Sequence, residues 1–277
     1  MYLVVLTLAV LAGVTAAAAP ARPDTGGSSR PAPVLALPPP RAAAPARPVP
    51  AAATPPRGLH VIDYWTAARG VPADPSPQSA EALTEGLHPL ARVAVYDSPG
   101  GRPRAFLPAT ISGVPVTVPI VERRAGWVAV LLPTTNRKIG WVPDRGWVSR
   151  PLRDQLVLRR GSHELTWIRD GIRRATWTVA VGTKATPTPL GRTFVLARTP
   201  VRGEVYAGLD ALALGSVPDE PDSVGAGLRG AHTGIHSWYR DSSFGRSDSN
   251  GCIRVPRAGQ RALLRDIAPG TAVIVLA

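Results

Sequence analysis

The sequence has one cysteine, Cys252, so no disulfide can form within the chain. It has two lysines, Lys138 and Lys184, and its basicity is otherwise arginine scattered along its length, giving a formal net charge of +13. No block of five or six like charges occurs, so the balance does not read as a nucleic-acid-binding stripe. An anionic cell envelope tolerates the same charge. After residue 19 no apolar run is long enough to span a bilayer. Aromatics are few, and seven of the fifteen are tryptophan.

The first 19 residues are apolar and end in small residues, with an A-x-A site at Ala16-Ala17-Ala18 but no Lys or Arg at the start. They read as a secretory signal peptide or an uncleaved membrane anchor, and either one exports the chain. One unpaired cysteine in an exported chain favours chemistry over stapling. Residues 20–57 are Ala, Pro and Arg with a Gly-Gly-Ser-Ser insert, a composition that cannot offset the cost of ordering it. They read as a disordered tether able to span on the order of 100 Å.

Residues 58–90 form a poorly defined lead-in, with a short strand expected around Val61-Ile62-Asp63-Tyr64-Trp65 and a short helix over 79–87. From 91 to 152, short apolar runs alternate with turn residues, as in a small all-β unit. A second β-rich unit covers 154–277, where Asp170-Gly171 marks a tight hairpin between two strands. Residues 203–230 read as loop, Pro256 starts a short helix over 257–267, and 271–276 form a buried last strand.

The chemistry concentrates in residues 230–256. His236 lies sixteen positions before Cys252 in Ser249-Asn250-Gly251-Cys252-Ile253-Arg254. An imidazole that takes the thiol proton can lower a cysteine pKa from about 8.5 toward roughly 3.5–7.5. Other readings of the same residues stay open: a small buried thiol, a zinc site using His232, His236 and Cys252, and a merely solvated Arg254.

Ile235-His236-Ser237 followed by Ser249-Asn250-Gly251-Cys252-Ile253-Arg254 resembles the signature of the L,D-transpeptidase catalytic domain family, the cysteine enzymes that cross-link bacterial peptidoglycan. Thr188-Pro189-Leu190-Gly191 is a third similar block. The departure is Asn250, where many members carry a second histidine. Residues 91–152, through Gly126-Trp127-Val128-Ala129-Val130 and Ile139-Gly140-Trp141-Val142-Pro143, resemble a bacterial Src-homology-3-like β-barrel, in which Trp127, Trp141 and Trp147 pack the core or line a groove.

The resemblance implies a mainly β protein, with the small barrel followed by a β-sandwich-like catalytic domain carrying a short helix. It implies Cys252 as nucleophile, His236 as base, the Ser237 main-chain carbonyl as orienter of His236, and main-chain N–H groups at Gly251 and Cys252 as oxyanion donors. Arg254 holds the cysteine loop or a substrate carboxylate, and Tyr206, His232, Asn250 and Ser249 are expected at the substrate. Asp241 and Asp248 are expected in the loop without a catalytic role. The implied reaction releases D-alanine from a stem tetrapeptide and passes the acyl group to an amine of another stem. With water as acceptor it is a carboxypeptidase, and without catalysis the chain is a wall-binding protein. The expected partners are peptidoglycan stem peptides and, as acylating agents, penem-type β-lactams; no cofactor, metal or nucleic acid is called for.

Overall fold

The computed structural model describes residues 48–201, 203–215 and 233–277. The expected signal or anchor, most of the tether and His232 lie outside these residues. Among the described residues no helix is long and apolar enough to cross a membrane.

The protein is mainly β. The first sheet is built from β1 (Glu85–Pro89), β2 (Val93–Tyr96), β3 (Pro103–Leu107), β6 (Val118–Arg124), β7 (Trp127–Leu131), β8 (Ile139–Pro143) and β9 (Trp147–Pro151), in the order β3-β2-β8-β7-β6-β1-β9. A small ladder of β4 (Thr110–Ile111) and β5 (Val114–Pro115) projects from it. Strands β7 and β8 are almost wholly buried, and Trp127 and Trp141 point into the core. Burial of their rings settles these two tryptophans as packing residues, whereas Trp147 is half-buried beneath Arg123.

Two expectations for the lead-in give way. Residues 79–87 are not a helix; Leu87 lies within β1, which runs between β6 and β9. The extended pairing buries Gly86, Leu87 and Pro89, which a lone short helix would not. The stretch around Val61 makes a single bridge, to Phe106, rather than a strand. Nor does the tether run free to residue 57. Trp127 Nε1 donates to the Pro50 carbonyl at 2.9 Å and Tyr96 Oη to that of Ala53 at 2.7 Å, so these residues lie along the first sheet.

The second sheet has eight strands in the order β12-β11-β10-β19-β14-β15-β16-β18. They are β10 (Asp154–Arg159), β11 (Glu164–Arg169), β12 (Ile172–Thr178), β14 (Gly191–Thr199), β15 (Ala211–Leu214), β16 (Gly234–Ser237), β18 (Ile253–Val255) and β19 (Ala272–Leu276). A short parallel pair, β13 (Val181–Gly182) with β17 (Ser247–Ser249), lies beside it. Asp170 and Gly171 take φ of 52° and 76°, the positive values a two-residue hairpin between β11 and β12 requires. The edge strand β12 exposes Arg173 and Arg174, charges that discourage pairing with another chain.

Strand β15 falls in the stretch read as loop, because Ala-Leu-Ala-Leu between glycines carries no strand pattern of its own. Its partners β14 and β16 make it a strand. The helix α1 (Arg257–Asp266) follows Pro256, whose φ of −53° suits a helix start. It lies against β18 because Gly259 has no side chain: a Cβ there would stand 2.7 Å from Val255 and 3.0 Å from Trp177.

Alternation along β14 and β19 divides the interior into two cores. Phe194, Leu196 and Ala272 join the first sheet's core with Ile62, Tyr64 and Leu107. Val195, Val273 and Val275 join the other with Leu156, Leu212 and Leu263. A buried ion pair crosses the same region, from Arg192 on β14 to Asp74 in the lead-in.

Candidate active site

The site lies where β16 and β18 run parallel, with Ile235 opposite Ile253 and His236 opposite Arg254. Carrying that register back one step sets Cys252 beside Gly234. Since side chains alternate across a strand, Cys252, His236 and Arg254 share one face. Gly234 meets the sulfur through its backbone N–H, and a Cβ in its place would stand 3.0 Å from the Leu212 carbonyl oxygen.

His236 is 6% exposed, and its Nδ1 lies 2.8 Å from the Ser237 main-chain carbonyl. A carbonyl only accepts, so Nδ1 carries the proton and Nε2 keeps its lone pair. The Ser237 hydroxyl is buried without a partner among the described residues, so the residue serves through its backbone. Burial pulls the imidazole pKa down, the Ser237 contact opposes this, and the Arg254 charge lowers it further.

The thiol moves the opposite way from the sequence expectation. Burial pushes the Cys252 pKa up, against the N–H of Gly234 and the charge of Arg254, which pull it down. No hydrogen bond joins the sulfur to the imidazole among the described residues. Both shifts favour the uncharged forms, a thiol and an unprotonated imidazole. The thiolate forms only when a proton is drawn off.

Ser249, expected at the substrate, is buried and clamps the cysteine turn: its Oγ donates to the Cys252 carbonyl at 2.6 Å and accepts from Gly251 N–H at 3.1 Å. That bond occupies the Gly251 N–H expected to face an oxyanion. Gly251 stands at φ 109°, a conformation L side chains rarely adopt. The Ser249 carbonyl accepts from Thr183 N–H and Thr186 Oγ1, which ties the turn to the loop ahead of Gly191. Asn250 is exposed at the tip.

Arg254 holds the loop. Its Nη1 donates to the Asp248 carboxylate at 3.0 Å and to the Asp248 carbonyl at 3.2 Å, and its guanidinium carbon lies 3.6 Å from the Trp238 ring centroid. Asp248 also accepts from Ser243 Oγ at 2.5 Å, so its role is to brace. Tyr206 is brought into the site, but edge-on against His236, with centroids 5.0 Å apart. Trp238, 5.9 Å from the same imidazole, closes a cluster of three rings. Sequence reasoning passed over Trp238, although it lies two residues after His236 and so on the same side of an extended chain.

Sheet, helix and cysteine turn define a mainly β unit in which the last two strands of the sheet set a cysteine and a histidine on one face. Residues 153–275 match the model of YkuD, the L,D-transpeptidase catalytic domain. No curated protein sequence matches the chain. Among solved structures, an L,D-transpeptidase from Mycobacterium smegmatis is similar at 17% identity, covering 58% of this chain and 82% of that one, with a TM-score of 0.39. L,D-transpeptidase 3 from Mycobacterium tuberculosis, solved with a faropenem-derived adduct, has 18% identity over 51% and 74% of the two chains, with a TM-score of 0.38. The catalytic domain of the E. faecium L,D-transpeptidase has 20% identity over 44% and 96%, with a TM-score of 0.32. The assignment rests on the sequence match, which leaves residues before 153, and the barrel resemblance there, unassigned.

Proposed function

We propose that the chain is an exported cysteine acyltransferase that cross-links peptidoglycan stem peptides. The observation that carries this reading is the common face of Cys252, His236 and Arg254 on β16 and β18, inside a matched L,D-transpeptidase domain. Nε2 of His236 takes the Cys252 proton as the sulfur adds to the amide carbonyl after the third residue of a stem tetrapeptide. The main-chain N–H of Cys252 faces the oxyanion, a donor of a kind worth about 3–4 kcal/mol, since Gly251 N–H is engaged by Ser249. The tetrahedral intermediate collapses as the imidazolium returns its proton to the leaving nitrogen, releasing D-alanine and leaving a thioester. An amine of a second stem attacks the thioester, loses a proton to His236, and frees the thiol.

Two features support transfer by a thiol that is neutral at rest. The unprotonated imidazole can act as a base without first giving up a proton, and a thiolate leaves readily from the thioester. Purified stem fragments incubated with the full chain should yield cross-linked dimers and free D-alanine by mass analysis, and Cys252→Ala should yield neither. Dimers formed equally by the alanine variant would remove the enzyme reading. Loss of D-alanine without dimers would make water the acceptor. Penem-type β-lactams should add their mass to Cys252; an unlabelled protein after a broad set of such compounds would count against an open nucleophile.

A further inference from the structure

Tyr64 belongs to the lead-in, ahead of both sheets and outside the matched domain. Its φ is +80°, unusual for a bulky side chain. A tight turn holds it there: Asp63 Oδ1 accepts from Trp65 N–H and Thr66 N–H at 3.0 Å each and from Thr66 Oγ1 at 2.9 Å. The ring is buried, and its Oη donates to the Leu214 carbonyl at 2.8 Å, 150 residues away.

Leu214 ends β15, and its other backbone group is also engaged, donating to the Thr233 carbonyl at 3.0 Å. That carbonyl and the Gly234 N–H belong to one planar peptide unit. Gly234 is the residue that the strand register sets beside Cys252. A continuous path thus runs from the Tyr64 hydroxyl through Leu214 to the amide facing the sulfur. We infer that Tyr64 is a positioning residue of the cysteine site, its hydroxyl fixing the Leu214 backbone and thereby the Thr233–Gly234 peptide whose N–H faces Cys252. This rests on the reading of Cys252 as nucleophile and extends the site to a segment the domain match does not reach.

Electrostatics agree with the placement. The phenol pKa is raised first by burial and then by the charge that Cys252 carries as thiolate, so the two groups lie within each other's field. Among the described residues, the titratable or charged groups around the sulfur are Tyr64 from the lead-in, His236 on β16 and Arg254 on β18. An unpaired or displaced Gly234 amide would withdraw one of the two influences that favour the thiolate.

The test reads the thiol directly and needs no wall substrate, so it stays separate from the transfer reaction. The rate of Cys252 alkylation by iodoacetamide is followed against pH in the full chain and in Tyr64→Phe. The expected result is a midpoint about half a pH unit higher in Y64F, roughly a threefold lower rate below the midpoint, with faster amide exchange at Gly234. Trp65→Ala, in the same turn, should leave the midpoint in place. An unchanged midpoint in folded Y64F, or an equal shift in W65A, overturns the inference. Should Y64F not fold, 3-fluorotyrosine at position 64 keeps ring and hydroxyl while donating more strongly. A downward midpoint supports the path, and an unmoved one overturns it.

Discussion

Arg254 lies over Trp238, its guanidinium carbon 3.6 Å from the ring centroid, while the same guanidinium reaches Asp248. The stack fixes a positive charge whose field reaches both groups of the candidate site, because Arg254 lowers the pKa of His236 and of Cys252 alike. Trp238→Leu keeps apolar bulk but removes the π face. We expect a loss of about 1–2 kcal/mol in stability from the cation–π contact. Cys252 alkylation near neutral pH should slow as well, because the charge is then less firmly held. Denaturant unfolding and alkylation rates measure the two effects separately. A variant of full stability and rate would make the stack incidental.

The opposed shifts of thiol and imidazole give the protein a definite pH behaviour. With Cys252 raised and His236 lowered, the thiol of the resting protein should show no reactive plateau in mildly acid solution, and alkylation should climb with pH through a midpoint above the ordinary thiol value. A thiolate–imidazolium pair would instead react at constant rate from mildly acid pH upward. The sign for stability follows from the imidazole. Its folded pKa is depressed, so as pH falls through the ordinary imidazole range the unfolded chain takes the proton first and the native state loses stability. His236→Gln should abolish transfer and flatten the fall in urea midpoint between pH 7.5 and pH 5. An equally steep fall in H236Q would place the titrating group elsewhere.

Asp74 and Arg192 form an ion pair with side chains only 1% and 5% exposed. Removing one partner leaves the other charged and buried. Asp74→Ala should therefore cost about 3–5 kcal/mol in urea unfolding. Replacing both residues with apolar ones of similar volume should cost much less. A small loss in D74A would mean that water reaches Arg192.

Gly251 tests strain apart from crowding. Among the described residues a Cβ at this position meets nothing closer than 3.6 Å, yet φ is +109°. Gly251→Ala should cost about 1–3 kcal/mol through backbone strain. It should also disturb the Ser249 clamp, so that acyl transfer falls further than stability does. Equal losses in both would show that the turn relaxes without moving the sulfur.

What the sequence disclosed follows from where the signals are local. Asp170-Gly171, Pro256 and the last apolar strand carry their own turn or burial patterns, and each is where its pattern indicated. Cys252 and His236 stood out as candidates because a thiol and an imidazole are scarce here, while their place on adjoining strands came only with the register. Strand β15 and Leu87 in β1 were not, because only partners distant in sequence make them strands. The task of Ser249 was misjudged for a related reason. A serine beside a nucleophile looks equally suited to substrate or to turn, and only its bonds to Cys252 and Gly251 decide. Tyr64 had no local mark at all, since its meaning depends on a carbonyl 150 residues further on.

The interior divides along β14 and β19, and Phe194, Leu196 and Ala272 turn away from their own domain's core toward Ile62 and Leu107. A fragment cut at the start of the domain match would leave that flank wet and greasy. A shortened chain meant to fold should therefore keep the lead-in and first sheet, starting ahead of Pro50, whose carbonyl holds Trp127.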